Sequence, residues 1–221
     1  MTNAEILACI DHTLLKPVAG WQDILKLCGE ALDWHTASVC IPPCYVKAAQ
    51  DEFGGGLTIC TVVGFPLGYS IAAAKILETE RAVLSGAAEI DMVINIADVK
   101  SGHFDWVEEE IRLLRKAAAG RILKVIVETC YLTADEKIRL CEIVTRSGAD
   151  YIKTSTGFGS AGAAPEDIRL FKAHIGPEVK IKAAGGIKTR EQMVAFIEAG
   201  ASRIGTSSAA VLAARGGPEG P

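Results

Sequence analysis

Short apolar runs of strand length alternate with longer segments of helical periodicity along almost the whole chain. This alternation favours parallel strands, because each strand is followed by a crossover helix before the next strand begins. Eight such units predict a single-domain α/β fold of the TIM (β/α)8 barrel type, with a doubly wound open sheet as the alternative. The predicted strands are residues 9–12, 37–41, 57–63, 89–94, 122–128, 150–154, 179–183 and 203–206.

The predicted helices begin and end at recognisable signals. Thr133 with Glu136, and Thr189 with Gln192, have the spacing of a capping box. Pro165 is followed by two acids, which suits the first turn of another helix. Three helices are expected to stop at a glycine, which adopts the left-handed conformation without steric cost. These glycines are Gly86, Gly148 and Gly200.

Length and composition narrow the class of protein. The 221 residues show no linker, so we expect one domain over residues 1–215 and a disordered tail over residues 216–221. A net charge of −4 without a basic cluster argues against nucleic-acid binding. No apolar stretch approaches the roughly 20 residues of a membrane span, and no signal-peptide pattern is present.

Cysteine and histidine usage points away from disulfides and metals. Seven cysteines without paired spacing argue against a disulfide framework or a structural zinc site, and they indicate a reducing, cytoplasmic location. The histidines lie far apart in the chain, and their spacing fits no ligand motif. They are His12, His35, His103 and His174. We therefore expect neither a metal nor another cofactor.

Charged side chains occupy positions that should face the barrel interior. Strand side chains alternate between faces, and the apolar set must meet the helices. The alternation then turns the remaining residues of the predicted fourth to seventh strands inward. They are Glu89, Asp91, Lys124, Ile126, Glu128, Lys153, Lys180 and Lys182. Because an unpaired buried charge is costly, these groups must pair with one another, either as structural ion pairs or as an active site.

Two of these lysines have the properties of a Schiff-base site. Lys153 and Lys182 should lie at the same height on neighbouring strands, so that burial and mutual repulsion lower the pKa of each. A neutral lysine is the nucleophile that Schiff-base chemistry requires. Asp91 could take and return protons, directly or through water.

Small residues follow the seventh and eighth predicted strands. Barrels often bind phosphate with the loops after these two strands, which here contain AGGIK at residues 184–188 and GTSS at residues 205–208. With TSTG at residues 154–157 these loops could form a phosphate-binding cup. We expect Ser207 and Ser208 to begin a helix whose positive end favours an anion. No P-loop or dinucleotide-binding motif is present, which disfavours a nucleotide site.

Six segments together strongly resemble the deoxyribose-phosphate aldolase family, and the resemblance extends from about residue 5 to about residue 212. They are DHTLLK at residues 11–16, VCIP at 39–42, EIDMV at 89–93, VIVET at 125–129, YIKTSTG at 151–157 and KAAGG at 182–186. The resemblance implies a class I aldolase that reversibly cleaves 2-deoxy-D-ribose 5-phosphate to D-glyceraldehyde 3-phosphate and acetaldehyde. It implies no metal or cofactor, and a dimer or tetramer.

The resemblance also implies residue roles. Lys153 matches the lysine that forms the iminium. Lys182 matches a second lysine, which lowers the pKa of the first, and Asp91 matches the acid of the proton relay. Phosphate binding is implied for Gly157, Gly185, Gly186, Lys188, Gly205, Ser207 and Ser208. Supporting roles are expected at Asp11, Thr13, Cys40, Lys124 and Thr156.

The chain departs from the family pattern at two places. Phe158 stands where some members have a lysine, and the tail lacks the terminal tyrosine that other members use in proton transfer. Two other hypotheses about the function of the protein remain open. One is a related class I aldolase for a longer or ketose phosphate, and the other is a sugar-phosphate binding protein that has lost catalysis.

Overall fold

The strands close into a barrel. The computed structural model describes residues 1–213, and within them eight parallel strands pair in chain order until the last pairs with the first. The predicted TIM barrel is therefore confirmed, and the open sheet is excluded. The strands are β1 (Ile10–Thr13), β2 (Ser38–Ile41), β3 (Ile59–Val63), β4 (Glu89–Val93), β5 (Ile122–Ile126), β6 (Tyr151–Lys153), β7 (Lys180–Ala184) and β8 (Arg203–Thr206).

Predicted and observed strands differ by one or two residues at most ends. The clearest case is β5, which was expected to continue to Glu128 but ends at Ile126. Glu128 adopts a left-handed conformation with φ of 56°, which breaks the extended backbone. The amide of Val127 still donates to the carbonyl of Lys153, at 3.0 Å. The bend turns the Glu128 side chain toward the loop that follows β6.

Helices surround the barrel, and both predicted capping boxes are present, as is Pro165 in the first turn of its helix. The three predicted glycine stops have positive φ. The helices are α1 (Asn3–Leu7), α2 (Trp21–Asp33), α3 (Val46–Phe53), α4 (Ala72–Leu84), α5 (Ile96–Lys100), α6 (Phe104–Ala117), α7 (Ala134–Arg146), α8 (Pro165–His174), α9 (Arg190–Ala199) and α10 (Ala210–Ala213).

The apolar core lies between the strands and the helices. Ile90 and Met92 on β4, and Ile152 on β6, belong to it and are fully buried. Removing such side chains from water is the main contribution to the stability of the fold. The inner face of the barrel, by contrast, carries the charged side chains, as the strand alternation predicts.

One buried ion pair lies outside the barrel, between α4 and α6. Lys75 is fully buried; its Nζ lies 2.7 Å from Glu110 Oε1 and donates to the carbonyl of Val93 at 2.8 Å. Gly64 lies so close that a Cβ there would approach Lys75 Cε to 2.8 Å. Burial lowers the pKa of Lys75 and raises the pKa of Glu110, in each case against the attraction of the partner.

Among residues 1–213, no helix is long and apolar enough to cross a membrane. The tail predicted over residues 216–221, and the end of the predicted domain at residue 215, lie outside the described residues.

Candidate active site

The register of the sheet brings the predicted catalytic residues together. Lys153 pairs with Lys182 across β6 and β7, and Asp91 pairs with Lys124 across β4 and β5. One oxygen of Asp91, Oδ2, lies 2.7 Å from Lys153 Nζ and 2.6 Å from Lys182 Nζ. The expectation that the two lysines lie at one height is confirmed, and a shared carboxylate holds them there.

The cluster continues into the barrel below this carboxylate. Lys124 Nζ lies 2.9 Å from Asp91 Oδ1 and 2.5 Å from Glu89 Oε2. Asp11 forms an ion pair with Lys182 and lies 2.5 Å from Arg203, which also contacts Glu89 at 3.3 Å. The prediction that the inward charges pair with one another is confirmed for Glu89, Asp91, Lys124, Lys153 and Lys182. It does not hold for Glu128, which accepts hydrogen bonds from Thr156, or for Lys180, which is exposed. Asp11 and Arg203 are the members that strand alternation alone had not placed in the cluster.

The electrostatics of the cluster fix the charge of two groups. Burial alone would raise the pKa of Asp91, but Lys124, Lys153 and Lys182 outweigh it and hold that pKa well below its usual range. Burial likewise lowers the pKa of Lys182, but Asp11 and Asp91 outweigh it and hold that pKa above its usual value. The prediction that the pKa of Lys182 is lowered is therefore wrong, because two carboxylates contact its ammonium. Asp91 is therefore a carboxylate and Lys182 an ammonium at neutral pH.

Two cysteines line the same interior. Cys40 and Cys60 are partners in the register of β2 and β3, and both are fully buried. The Cys60 thiol donates to Asp91 at 3.2 Å, and burial raises its pKa well above the usual value. A hydrogen bond with Cys60 lowers the pKa of Cys40. Cys40, for which a supporting role was expected, does not line the cavity at the carboxyl end of the barrel.

Cysteine and carboxylate atoms approach one another closely enough to hold a metal ion in two groups of the described residues. These groups are Cys40 with Cys60 and Asp91, and Asp11 with Cys60 and Glu89. Sequence spacing had suggested no convergent ligand set, because these residues come from different strands. The ammonium groups of Lys124 and Lys182 contact the same carboxylates, so a metal ion would have to displace them.

A cavity of about 250 Å³ opens above Lys153 at the carboxyl end of the barrel. Its lining includes cationic Lys16 and Lys188, and it includes no carboxylate among the described residues. The cavity therefore favours an anion. Its lining residues are Thr13, Leu14, Leu15, Lys16, Lys153, Thr156, Gly157, Phe158, Ala184, Gly185, Gly186, Ile187, Lys188, Gly205, Thr206 and Ser207.

All but one of the residues expected to bind phosphate line this cavity. The exception is Ser208, whose amide donates to the Thr206 hydroxyl at 3.0 Å. The expectation that Ser207 and Ser208 begin a helix is wrong, because α10 begins at Ala210. The Thr206 hydroxyl also donates to the carbonyl of Ile187, at 2.7 Å, and so joins the loops after β7 and β8.

Glycine is required where the loops after β6 and β7 touch. Gly185 has φ of 87°, and a Cβ there would lie 3.0 Å from Gly162 Cα. A Cβ on Gly162 would approach the Gly185 carbonyl oxygen to 2.2 Å. This close approach keeps the backbone of both loops at the rim of the cavity.

Thr156 and Phe158 form the part of the cavity wall that comes from the loop after β6. The Thr156 amide donates to Glu128 Oε1 at 3.2 Å, and its hydroxyl forms a short hydrogen bond with the same carboxylate. The Phe158 ring packs edge-on against Phe65, with a centroid separation of 5.3 Å. An apolar ring therefore occupies the place where some relatives have a lysine, and Lys16 and Lys188 supply the positive charge.

Comparison with known proteins agrees with this geometry. The family model for DeoC/LacD family aldolases matches residues 6–213. The chain belongs to this family.

Among its relatives, deoxyribose-phosphate aldolase of Clostridium botulinum strain Alaska E43 is 60% identical over 96% of both chains. The enzyme of that name from Clostridioides difficile strain 630 is 56% identical over 92% of this chain and 93% of its own. The structure of deoxyribose phosphate aldolase from Aeropyrum pernix, described as tetrameric, superimposes with a TM-score of 0.89. It is 31% identical and covers 96% of this chain and 92% of its own. The resemblance seen in the sequence is therefore confirmed, and the DeoC/LacD aldolase described here is a carbon–carbon lyase.

Sequence reasoning missed three parts of this aldolase's site. Arg203 lies two residues before Gly205 on β8, so their side-chain positions are on the same face of the strand. Because Gly205 lines the cavity, this spacing could have placed the Arg203 side chain inside the barrel. Cys60 could have been found in the same way on β3. Leu14, Leu15 and Lys16 line the cavity from the loop after β1, where side-chain direction cannot be deduced from alternation.

Proposed function

We propose that this chain is a deoxyribose-phosphate aldolase that reversibly cleaves 2-deoxy-D-ribose 5-phosphate to D-glyceraldehyde 3-phosphate and acetaldehyde through a Schiff base on Lys153. One observation carries the proposal. Lys153 is the lysine of the inner cluster that also lines the cationic cavity, so its nitrogen can meet a bound sugar phosphate. The identity to relatives of that name supports the choice of substrate.

In the first step, neutral Lys153 attacks the aldehyde carbon of the open-chain sugar to give a carbinolamine, which takes up a proton at its hydroxyl and loses water to give an iminium. The ammonium of Lys182 shares Asp91 with Lys153, and its charge opposes a proton on the neighbouring amine. Lys182 therefore favours the nucleophilic form of Lys153, which is the role implied by the family resemblance.

Cleavage then follows from the electron demand of the iminium. Removal of the proton from the C3 hydroxyl breaks the C2–C3 bond, releases glyceraldehyde 3-phosphate and leaves an enamine. Protonation of the enamine and hydrolysis give acetaldehyde and free Lys153. In this proposal, Asp91 and Lys182 carry the proton through a water molecule. Because the pKa of Asp91 is low, its carboxylate holds a proton only briefly during the transfer. Its main role in this proposal is to orient the water and to stabilise the positive charge of the iminium.

The phosphate is held at the loops after β6, β7 and β8. Gly185 and Gly186 bring the backbone to the cavity, Lys188 supplies a positive charge, and Ser207 supplies a hydroxyl. Gly157 and Gly205 complete the cup, and Ser208 acts from behind it through Thr206. The volume of about 250 Å³ lies below the usual range of roughly 300–1,000 Å³ for ligand pockets, which suits a five-carbon substrate.

Borohydride trapping tests the proposal. Reduction in the presence of 2-deoxyribose 5-phosphate, followed by peptide mass mapping, is expected to give an adduct on Lys153. An adduct on Lys182 instead would exchange the roles of the two lysines. Cleavage of the sugar without any lysine adduct would show that the mechanism is not covalent. Lys75→Met is a matched control, because it removes another buried lysine and should leave the adduct unchanged.

The same proposal covers the setting of the enzyme. Residues 1–215 act as one catalytic domain, in the cytoplasm, with small-molecule sugar phosphates and aldehydes as ligands and without a metal or other cofactor. The tetrameric Aeropyrum pernix relative supports assembly into a dimer or tetramer. Light scattering of the purified protein would test the assembly, and a mass equal to one 23.4 kDa chain would contradict it.

A further inference from the structure

Ion pairs connect Lys153 to the opposite end of the barrel. Asp91 contacts Lys153 near the carboxyl end of the strands, whereas Glu89 and Arg203 are the first residues of β4 and β8. Direct contacts of 2.5 to 3.3 Å connect the two levels through Lys124 and through Asp11. Neither Glu89 nor Arg203 lines the cavity, so neither is placed to contact a molecule bound there.

The charges of the network balance in only one state of Lys153. Among residues 1–213, the groups in direct contact are three carboxylates, three other cations and Lys153 itself. The carboxylates are Asp11, Glu89 and Asp91, and the cations are Lys124, Lys182 and Arg203. Their side chains are between 0% and 12% exposed, so water screens them poorly. The sum is zero when Lys153 is a neutral amine and positive when it is protonated.

The remaining groups around Lys153 do not change this balance. Cys60 remains a thiol, because burial raises its pKa, and Lys180 begins β7 in contact with solvent. Glu128 is directed away, toward Thr156 and a separate small cavity beside Tyr131. The other titratable and charged side chains of the barrel interior are Asp11, Cys40, Cys60, Glu89, Asp91, Lys124, Tyr151, Lys182 and Arg203, with Lys16 and Lys188 at the rim of the cavity.

We propose that Glu89 and Arg203 are positioning residues for the Schiff-base reaction: as a distant ion pair they set the net charge of the barrel interior, so that Lys153 is the buried group that gives up its proton. This inference rests on the proposed function, because it explains why the nucleophile is available. Part of the effect on Lys153 that the family resemblance implies for Lys182 then comes from the far end of the barrel. A buried charge without compensation is strongly unfavourable, so each member affects the protonation of Lys153.

Removing either member should move the protonation of Lys153, and the directions are opposite. Glu89→Gln removes a negative charge, which destabilises the protonated amine, so the midpoint of its titration falls. Arg203→Gln removes a positive charge, so the midpoint rises. For a separation of about 10 Å and an effective dielectric of about 20, the expected shift is about one pH unit in each direction.

Acetylation of Lys153 by acetic anhydride, measured by peptide mass spectrometry as a function of pH, reports this protonation without turnover. The pH profile of kcat/KM with 2-deoxyribose 5-phosphate is the second measurement, and its acid limb should move with the labelling midpoint. Two variants serve as matched controls. Arg203→Lys keeps the charge, and the double variant Glu89→Gln with Arg203→Gln keeps the balance, so both should titrate like the wild type.

Shifts in the same direction, or no shift in either single variant, would overturn the inference, since a merely structural role cannot produce opposite signs. If the single variants do not fold, the double variant decides: a wild-type midpoint supports charge balance, and a displaced midpoint contradicts it. A wild-type protein that does not cleave the sugar would refute the proposed function separately, because the labelling curves do not depend on cleavage.

Discussion

Two buried lysines in this protein have opposite electrostatic environments. Lys75, between α4 and α6, has one carboxylate partner, Glu110, and burial lowers its pKa. Lys182, inside the barrel, has two carboxylate partners, and these overcome burial and raise its pKa. Both side chains are fully inaccessible to solvent, so burial does not explain the difference. The difference follows from the number of carboxylates in direct contact with each lysine, which is one for Lys75 and two for Lys182.

The comparison separates a structural ion pair from a reactive cluster. At Lys75 the pair is isolated, and one oxygen of Glu110 has no partner in the described part of the chain. Around Lys153, by contrast, carboxylates are shared among several cations, so one cation can lose its charge while the others remain paired. The same substitution, Lys to Met, at different positions tests this distinction.

The largest effect is expected for Lys153→Met. Loss of the nucleophile should reduce kcat for 2-deoxyribose 5-phosphate by a factor on the order of 10⁴ or more. The fold should keep its stability, because Asp91 retains Lys124 and Lys182 as partners. Steady-state kinetics and denaturant unfolding of the same preparation test both statements. A binding protein without catalysis would instead show no turnover in the wild type, and the variant would keep its affinity.

Lys75→Met should have the opposite profile. It leaves Glu110 buried without a cation, which should lower the free energy of unfolding by about 3–5 kcal/mol. Turnover per folded molecule should not change, since Lys75 does not line the cavity. Urea unfolding measures the loss.

The double variant Lys75→Met with Glu110→Leu is the control for this second prediction. It replaces the whole pair by apolar side chains and should recover most of the stability. If the double variant is as unstable as the single one, packing around Lys75, rather than the unpaired charge, accounts for the loss.

The pH dependence of Lys75→Met sharpens the comparison further. Burial already raises the pKa of Glu110 in the wild type, and removal of Lys75 takes away the main interaction that lowers it. A group whose pKa is raised by folding destabilises the fold above that pKa and ceases to do so as pH falls toward its unfolded value, about 4.5. The stability deficit of the variant should therefore shrink between pH 7 and pH 5. Unfolding curves at several pH values test this, and a constant deficit would contradict it.

The smallest effect is expected at the surface. Lys47 forms an ion pair with Asp51 on α3, and both side chains are more than half exposed. Lys47→Met should change the free energy of unfolding by less than about 1 kcal/mol, because water and salt screen such a pair. Thermal unfolding at low and high salt measures it. A loss comparable to that of Lys75→Met would show that burial does not distinguish the two pairs.

Much of the fold could be predicted from the sequence, because alternation and capping are local signals. The alternation of side chains along β4 placed Asp91 inside the barrel. The register of the neighbouring strands then brings Asp91 close to Lys153 and Lys182. Strand ends were less accurate where a single residue changes conformation, as Glu128 does.

The loops and the far end of the site could not be predicted as well. Lys16 reaches the cavity from a loop, and the packing of Phe158 on Phe65 joins loops distant in sequence. Arg203 begins its strand, where a charged residue usually meets solvent, and only the closed barrel brings it to Asp11 and Glu89. Side-chain alternation along the strand could have turned Arg203 inward, but its partners, like the placements of Lys16 and Phe158, depend on tertiary geometry that no local pattern contains.

The division between strands and loops has a consequence for the design of new enzymes on this scaffold. Lys153 and its ion-pair partners are fixed by the hydrogen-bonded register of a sheet without edges, whereas Phe158 belongs to a connection between strands. A loop that keeps Gly157 and Gly162 could thus replace the other residues of 157–164, and it could be selected for a different acceptor aldehyde without moving Lys153. Reactivity and substrate choice can then be varied as independent modules.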